Sequence, residues 1–161
     1  MVKRTFAVLV ENKPGVLSKV AGLFSRRGYN IESLVVSETE DSSASRMTIV
    51  VEGDMRILEQ VGKQLNKLID VIKVNDITEE ETVERQLCLI RVTTEDQGSR
   101  QEIMQITEVF RCHVVDISRK SLIVEATGDE DKVQAVIRSL KPFGITELVR
   151  TGKVAMIRGM Q

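Results

Sequence analysis

Apolar residues in this chain recur at every second position, then at every third and fourth, then at every second again, and the whole alternation occurs twice. A strand needs the first spacing and a helix the second, so the order of periods is an order of elements. Thr5–Val10 is almost wholly apolar or β-branched, as a strand buried on both faces requires. Asn12, Pro14 and Gly15 end it. From Val16 the spacing is helical, with Val16, Leu17, Val20, Phe24 and marginally Ala21 on one face. Gly28 is placed to stop that helix in the left-handed conformation. Asn30–Ser37 and Arg46–Glu52 read as strands joined by a polar loop. Gly53-Asp54 starts a second helix on Leu58, Val61, Leu65 and Leu68, and Asp70–Asn75 is a fourth strand. The order β-α-β-β-α-β predicts a ferredoxin-like unit, with two helices covering one face of an antiparallel sheet.

The stretch from Thr78, carrying Glu79, Glu80 and Glu81, has no apolar period and reads as a linker over residues 78–84. Then the pattern restarts. Leu87–Val92 is a strand, Gly98–Phe110 a helix, Val114–Ser118 and Leu122–Ala126 strands, Gly128-Asp129 the start of a helix, and Ile145–Val149 a closing strand. Arg27 and Arg111 correspond, as do Gly53-Asp54 and Gly128-Asp129, which marks an internal repeat with a shorter second hairpin. The fold class is therefore α+β, two tandem ferredoxin-like βαββαβ domains over residues 1–77 and 85–161. Helices on one side leave the other sheet face open. With apolar residues in both phases of Thr5–Val10, that face is expected to be covered by the other repeat or by a second chain, which points to a homodimer.

Several function classes lose support. Lys plus Arg (23) nearly balance Asp plus Glu (24), giving a formal charge of −1, and aromatics are 3% with no tryptophan. Nucleic-acid recognition on a ferredoxin-like sheet uses basic surface and stacked aromatics, so no nucleic-acid partner is expected. The first apolar run is shorter than a signal-peptide core, and no run reaches the ~20 residues of a membrane span. Two cysteines without CxxC spacing favour a reducing compartment, and a cytoplasmic location with no membrane partner is expected.

Catalytic constellations are equally thin. His113, the only histidine, adjoins Cys112, and neighbours on a strand point to opposite faces, so the pair is poorly placed as nucleophile and base. Cys88, Cys112 and His113 have no metal-ligand spacing. No GxGxxG or GxxxxGK[ST] loop is present. No catalytic residue, metal site or cofactor is assigned to this chain.

Val8–Asn30 offers a different chemistry. Unpaired N–H groups at a helix start suit a carboxylate, and Gly15 lets a ligand approach them. Asn12 and Asn30 each present an amide whose oxygen accepts from an ammonium group. Val16, Leu17 and Ile31 supply apolar wall. Carboxylate donor, ammonium acceptor and apolar wall together describe a neutral aliphatic amino acid. The same residues also fit a plain structural account, in which Asn12 turns the chain, Pro14-Gly15 starts a helix and Asn30 caps a strand.

The run ENKPGVLSKVAGLFSRRGYNIESLVV resembles the N-terminal ACT domain of the small regulatory subunit of acetohydroxyacid synthase (acetolactate synthase). SRMTIVVEGD, LEQVGKQLNKLIDVIKV and ELVRTGKVAMIRG carry the likeness over nearly the whole chain. The resemblance implies an amino-acid-sensing ACT domain over residues 1–77 and a divergent ACT-like domain over 85–161. It implies a non-catalytic subunit that binds and activates the large catalytic subunit and confers feedback inhibition by free valine, or leucine or isoleucine. Thiamine diphosphate, magnesium and FAD are expected on that partner. Binding residues carry over onto Asn12, Gly15 and Asn30, with Pro14, Val16, Leu17 and Ile31 as further pocket members. The ligand then lies between subunits of an ACT homodimer, with Asn30 from the partner chain. A stand-alone ACT sensor of another enzyme, or of a transcriptional regulator, is the alternative. Glu95 stands near the position of Asn12 in the second repeat and Val114 at that of Asn30, so the second repeat is not expected to bind the amino acid. The tail Lys153–Arg158 is a candidate contact segment for the catalytic subunit, or else an extra edge strand.

Overall fold

The computed structural model describes residues 1–27 and 29–159, so the expected helix stop at Gly28 lies outside the described residues. The chain forms two compact units, Met1–Val83 with Lys153–Gln161, and Glu84–Gly152.

The first unit contains β1 (Val2–Glu11), α1 (Val16–Arg27), β2 (Asn30–Glu38), β3 (Ala44–Gly53), α2 (Met55–Asn66) and β4 (Val71–Asp76). Its antiparallel sheet has the order β2-β3-β1-β4. Phe6, Val8 and Val10 of β1 and Met47, Ile49 and Val51 of β3 face both helices. They bury Val16, Val20, Leu23 and Phe24 of α1 and Leu58, Val61 and Leu65 of α2 in one core. The expected helix face is shifted slightly: Leu23 is buried, whereas Leu17, at the open first turn, is 47% exposed. Asp54 caps α2, its carboxylate accepting from Arg56 N at 2.9 Å.

Part of the opposite sheet face is covered by the chain's last strand. β9 (Val154–Ile157), the last strand, packs Ala155 and Ile157 against Ala7 and Ile77. Lys153 N donates to Ser33 Oγ on β2 at 3.0 Å and its Nζ to Thr5 Oγ1 at 3.0 Å, and Arg46 Nη2 donates to the Ala155 carbonyl at 2.7 Å. The tail is therefore an ordered strand of the first unit. It alternates as a strand must, with Ala155 buried and Met156 67% exposed.

β5 (Thr82–Thr93) begins inside the stretch read as a linker, because β-branched Thr82 and Val83 already extend and β9 pairs with this strand. Only residues 77–81, with a turn at 78–80, remain between β4 and β5. In the second unit β5 is followed by α3 (Gln97–Val109), β6 (His113–Ile117), β7 (Ser121–Gly128), α4 (Glu130–Leu140) and β8 (Ile145–Arg150), with the order β6-β7-β5-β8. Cys88, Ile90, Val92, Leu122, Val124 and Ala126 meet Ile103, Val133, Val136 and Leu140 in its core. The repeat is one topology built twice.

Candidate ligand-binding site

Asn12, Pro14, Gly15, Val16 and Leu17 form the connection from β1 to α1. Gly15 has φ 87°, a left-handed conformation that glycine adopts without strain, and a Cβ built there meets no atom within 4 Å. It stands immediately before Val16, the first helical residue, and has no side chain with which to cap α1. By contrast Asp54, Asp96 and Asp129 place carboxylates on the starts of α2, α3 and α4. The α1 start presents positive dipole without a side-chain cap to an open approach, although Val16 N reaches back to the Lys13 carbonyl at 3.5 Å.

Asn12 is held firmly. Its backbone N donates to the Ser43 carbonyl at 2.8 Å, and Nδ2 donates to Glu38 Oε1 at 3.1 Å and to the Ser42 carbonyl at 3.0 Å. Around this connection Lys13 Nζ pairs with Glu11 Oε2 and Lys19 Nζ with Asp70 Oδ2, each at 2.8 Å. The Lys19 ammonium, hydrogen-bonded to it, holds the Asp70 carboxyl below the usual carboxylate range. Val16 is buried in the core, while exposed Leu17 stands beside Gly15. Only Leu17 of the two offers its side chain at the surface.

Asn30 and Ile31 lie elsewhere. Asn30 pairs with Glu52, whereas Glu11 pairs with Ala44, so the two ends are separated by eight positions along β3. At ~3.3 Å per residue that is about 26 Å. Asn12 and Asn30 of one chain therefore belong to opposite ends of the sheet and share no pocket, and Ile31 packs onto the core of its own unit. The physical reason is the topology: α1 returns the chain to the far end before β2 begins.

The second repeat is built differently at the corresponding place. Asp96 accepts from Ser99 N at 2.7 Å while Ser99 Oγ engages the Asp96 backbone, a reciprocal cap. The Ser99 backbone N–H, with the Ser99 hydroxyl and the Gly98 N–H behind it, holds the Asp96 carboxyl below its usual range. Gly98 lies inside α3 and does not reproduce the left-handed residue found at Gly15. Arg100 Nη2 donates to Thr94 Oγ1 and to the carbonyls of Ser118 and Arg119, closing the loops over one another.

Cys88 and Cys112 are buried free thiols, and burial pushes both up from the ordinary thiol range, away from the nucleophilic thiolate. His113 is exposed at the start of β6. Among the described residues no group of three His, Cys, Asp or Glu side chains is arranged to hold a metal ion, and no helix is long and apolar enough to cross a membrane.

Two family models match the chain. The AHAS small subunit-like ACT domain covers residues 6–73, and the small subunit of acetolactate synthase, C-terminal part, covers residues 85–159. An ACT domain followed by the small-subunit domain of acetolactate synthase defines a class of small, regulatory, non-catalytic subunits. A probable acetolactate synthase small subunit of Archaeoglobus fulgidus is 63% identical over 98% of both chains. An acetolactate synthase small subunit of Mycobacterium bovis is 53% identical over 96% of this chain and 92% of its own. The crystal structure of the acetolactate synthase small subunit from Thermotoga maritima superposes with TM-score 0.89 at 43% identity, covering 100% of both chains. This chain belongs to the acetolactate synthase small-subunit family, and a small subunit implies a large catalytic partner.

Proposed function

We propose that the chain binds and activates a thiamine-diphosphate-dependent acetolactate synthase catalytic subunit in the cytoplasm. It makes that enzyme sensitive to a free branched-chain amino acid, valine foremost with leucine or isoleucine as relatives, held by the ACT domain within residues 1–77. The second repeat, which starts with β5, does not bind the amino acid. Thiamine diphosphate, magnesium and FAD belong to the partner.

One observation carries the ligand site: the α1 start with its glycine and Asn12 lies at one end of the sheet, and Asn30 at the other, on edge strand β2. An edge strand has unpaired backbone groups along one side. Two copies of β2 paired antiparallel about a two-fold axis set the partner's Asn30 beside Glu38, to which Asn12 is bonded. The carboxylate of the amino acid then meets the α1 N–H groups at Gly15–Leu17, its ammonium meets Asn12 and the partner's Asn30, and Leu17 lies against the side chain. Pro14 fixes the turn. Such a ligand stabilises one arrangement of the dimer, and the catalytic subunit responds through its different affinity for the two arrangements.

Calorimetric titration of the full chain with L-valine is expected to give saturable heat at one site per chain, because Asp96 already occupies the second repeat's helix start. Asn30→Ala is expected to weaken binding by about tenfold or more. Addition of the chain to the catalytic subunit raises acetolactate formation, and L-valine reverses it. Absence of heat with valine, leucine and isoleucine alike removes the ligand from this account.

A further inference from the structure

Both N–H donors of the Asn12 amide are committed within the chain, to Glu38 Oε1 and to the Ser42 carbonyl. Carboxylate and carbonyl oxygens only accept, so the amide has one orientation and Oδ1 is left to face outward. Glu38 ends β2 and Ser42 belongs to the loop that follows, so the hairpin sets the direction of a side chain on β1's end. The neighbouring cations are matched locally, Lys13 by Glu11 and Lys19 by Asp70. Glu38 thus contributes a negative charge directly beside an acceptor.

Resting on the ligand reading proposed above, we infer that Glu38 is a positioning and specificity-determining residue that holds Asn12 as a pure acceptor and makes the site take α-amino acids and reject 2-oxo acids of the same carbon skeleton. The carboxylate and the aliphatic end are identical in the two compounds, so neither the α1 start nor Leu17 separates them. The difference lies at one substituent. An ammonium brings three donors and a positive charge to Oδ1 and Glu38, whereas a 2-oxo group brings one more acceptor and leaves two oxygens facing with no hydrogen between them. A sensor so built reads the aminated end product and ignores its unaminated precursor class.

The test compares L-valine with 3-methyl-2-oxobutanoate by calorimetry on the full chain, for the natural sequence, Glu38→Ala and Glu38→Gln. The natural chain is expected to prefer L-valine by about 100-fold or more. Glu38→Ala weakens L-valine by about tenfold while the oxo acid is unchanged or improved, so the preference narrows. Glu38→Gln, which still accepts from Asn12 but has no charge, falls between. Melting temperatures of the three proteins agree, since Glu38 is exposed. An unchanged preference in Glu38→Ala overturns the assignment of Glu38 while the ligand reading stands. A natural chain that binds neither compound removes both.

Discussion

Phe24→Ala is expected to destabilise the first unit by about 3–5 kcal/mol. Phe24 is 1% exposed on α1, and it is among the largest fully buried side chains of the molecule. Its ring meets that of Tyr29 edge-on, with centroids 6.1 Å apart and planes at 73°, and Tyr29 N donates to the Phe24 carbonyl at 3.2 Å. Truncation loses burial, leaves a cavity under α1 and frees Tyr29, the residue that leads into Asn30. Urea unfolding followed by tryptophan-independent means such as far-ultraviolet dichroism measures the loss, and the core of the second unit, which does not contain Phe24, keeps its own stability. A loss below about 1 kcal/mol contradicts the packing described here.

Gly15→Val is expected to act on the ligand far more than on the fold. At φ 87° a β-branched residue is strained by about 1–3 kcal/mol. No atom lies within 4 Å of the new Cβ, so the Cβ itself adds no clash to that strain. The added isopropyl group instead stands in the open approach to the α1 N–H groups. Affinity for L-valine is expected to fall by about 100-fold or more, because a carboxylate kept from those donors loses charge-assisted hydrogen bonds. Thermal unfolding shows the protein still folded. A variant that binds L-valine as the natural chain does places the carboxylate away from the α1 start.

The elements were legible because their boundaries are marked by residues with mechanisms: Asn12, Pro14 and Gly15 after β1, and Gly53-Asp54 and Gly128-Asp129 before α2 and α4. What escaped the sequence depends on distant pairing. Thr82 and Val83 are too short an apolar run to announce a strand, and β9 finds its place through Thr5, Ala7, Ser33, Arg46 and Ile77, all remote in sequence. Leu17 has the period of a core residue but sits on the open first turn. The separation of Asn12 from Asn30 was implicit in the β-α-β order, since α1 must carry the chain back before β2 starts. Glu38 carried no signal at all: its bond to Asn12 spans 26 positions and depends on the hairpin register. The residues near the turn were readable as chemistry, and where Asn30 lies relative to them needed the register.

The proposed amino-acid site draws Asn12 from one chain and Asn30 from another. Asn12→Ala and Asn30→Ala chains, each deficient in L-valine binding, are to be unfolded together, refolded as a mixture and titrated with L-valine. A shared site predicts that about a quarter of the sites recover natural affinity, because half the dimers are mixed and each of those has one intact site. Binding that stays absent from the mixed dimers contradicts the account.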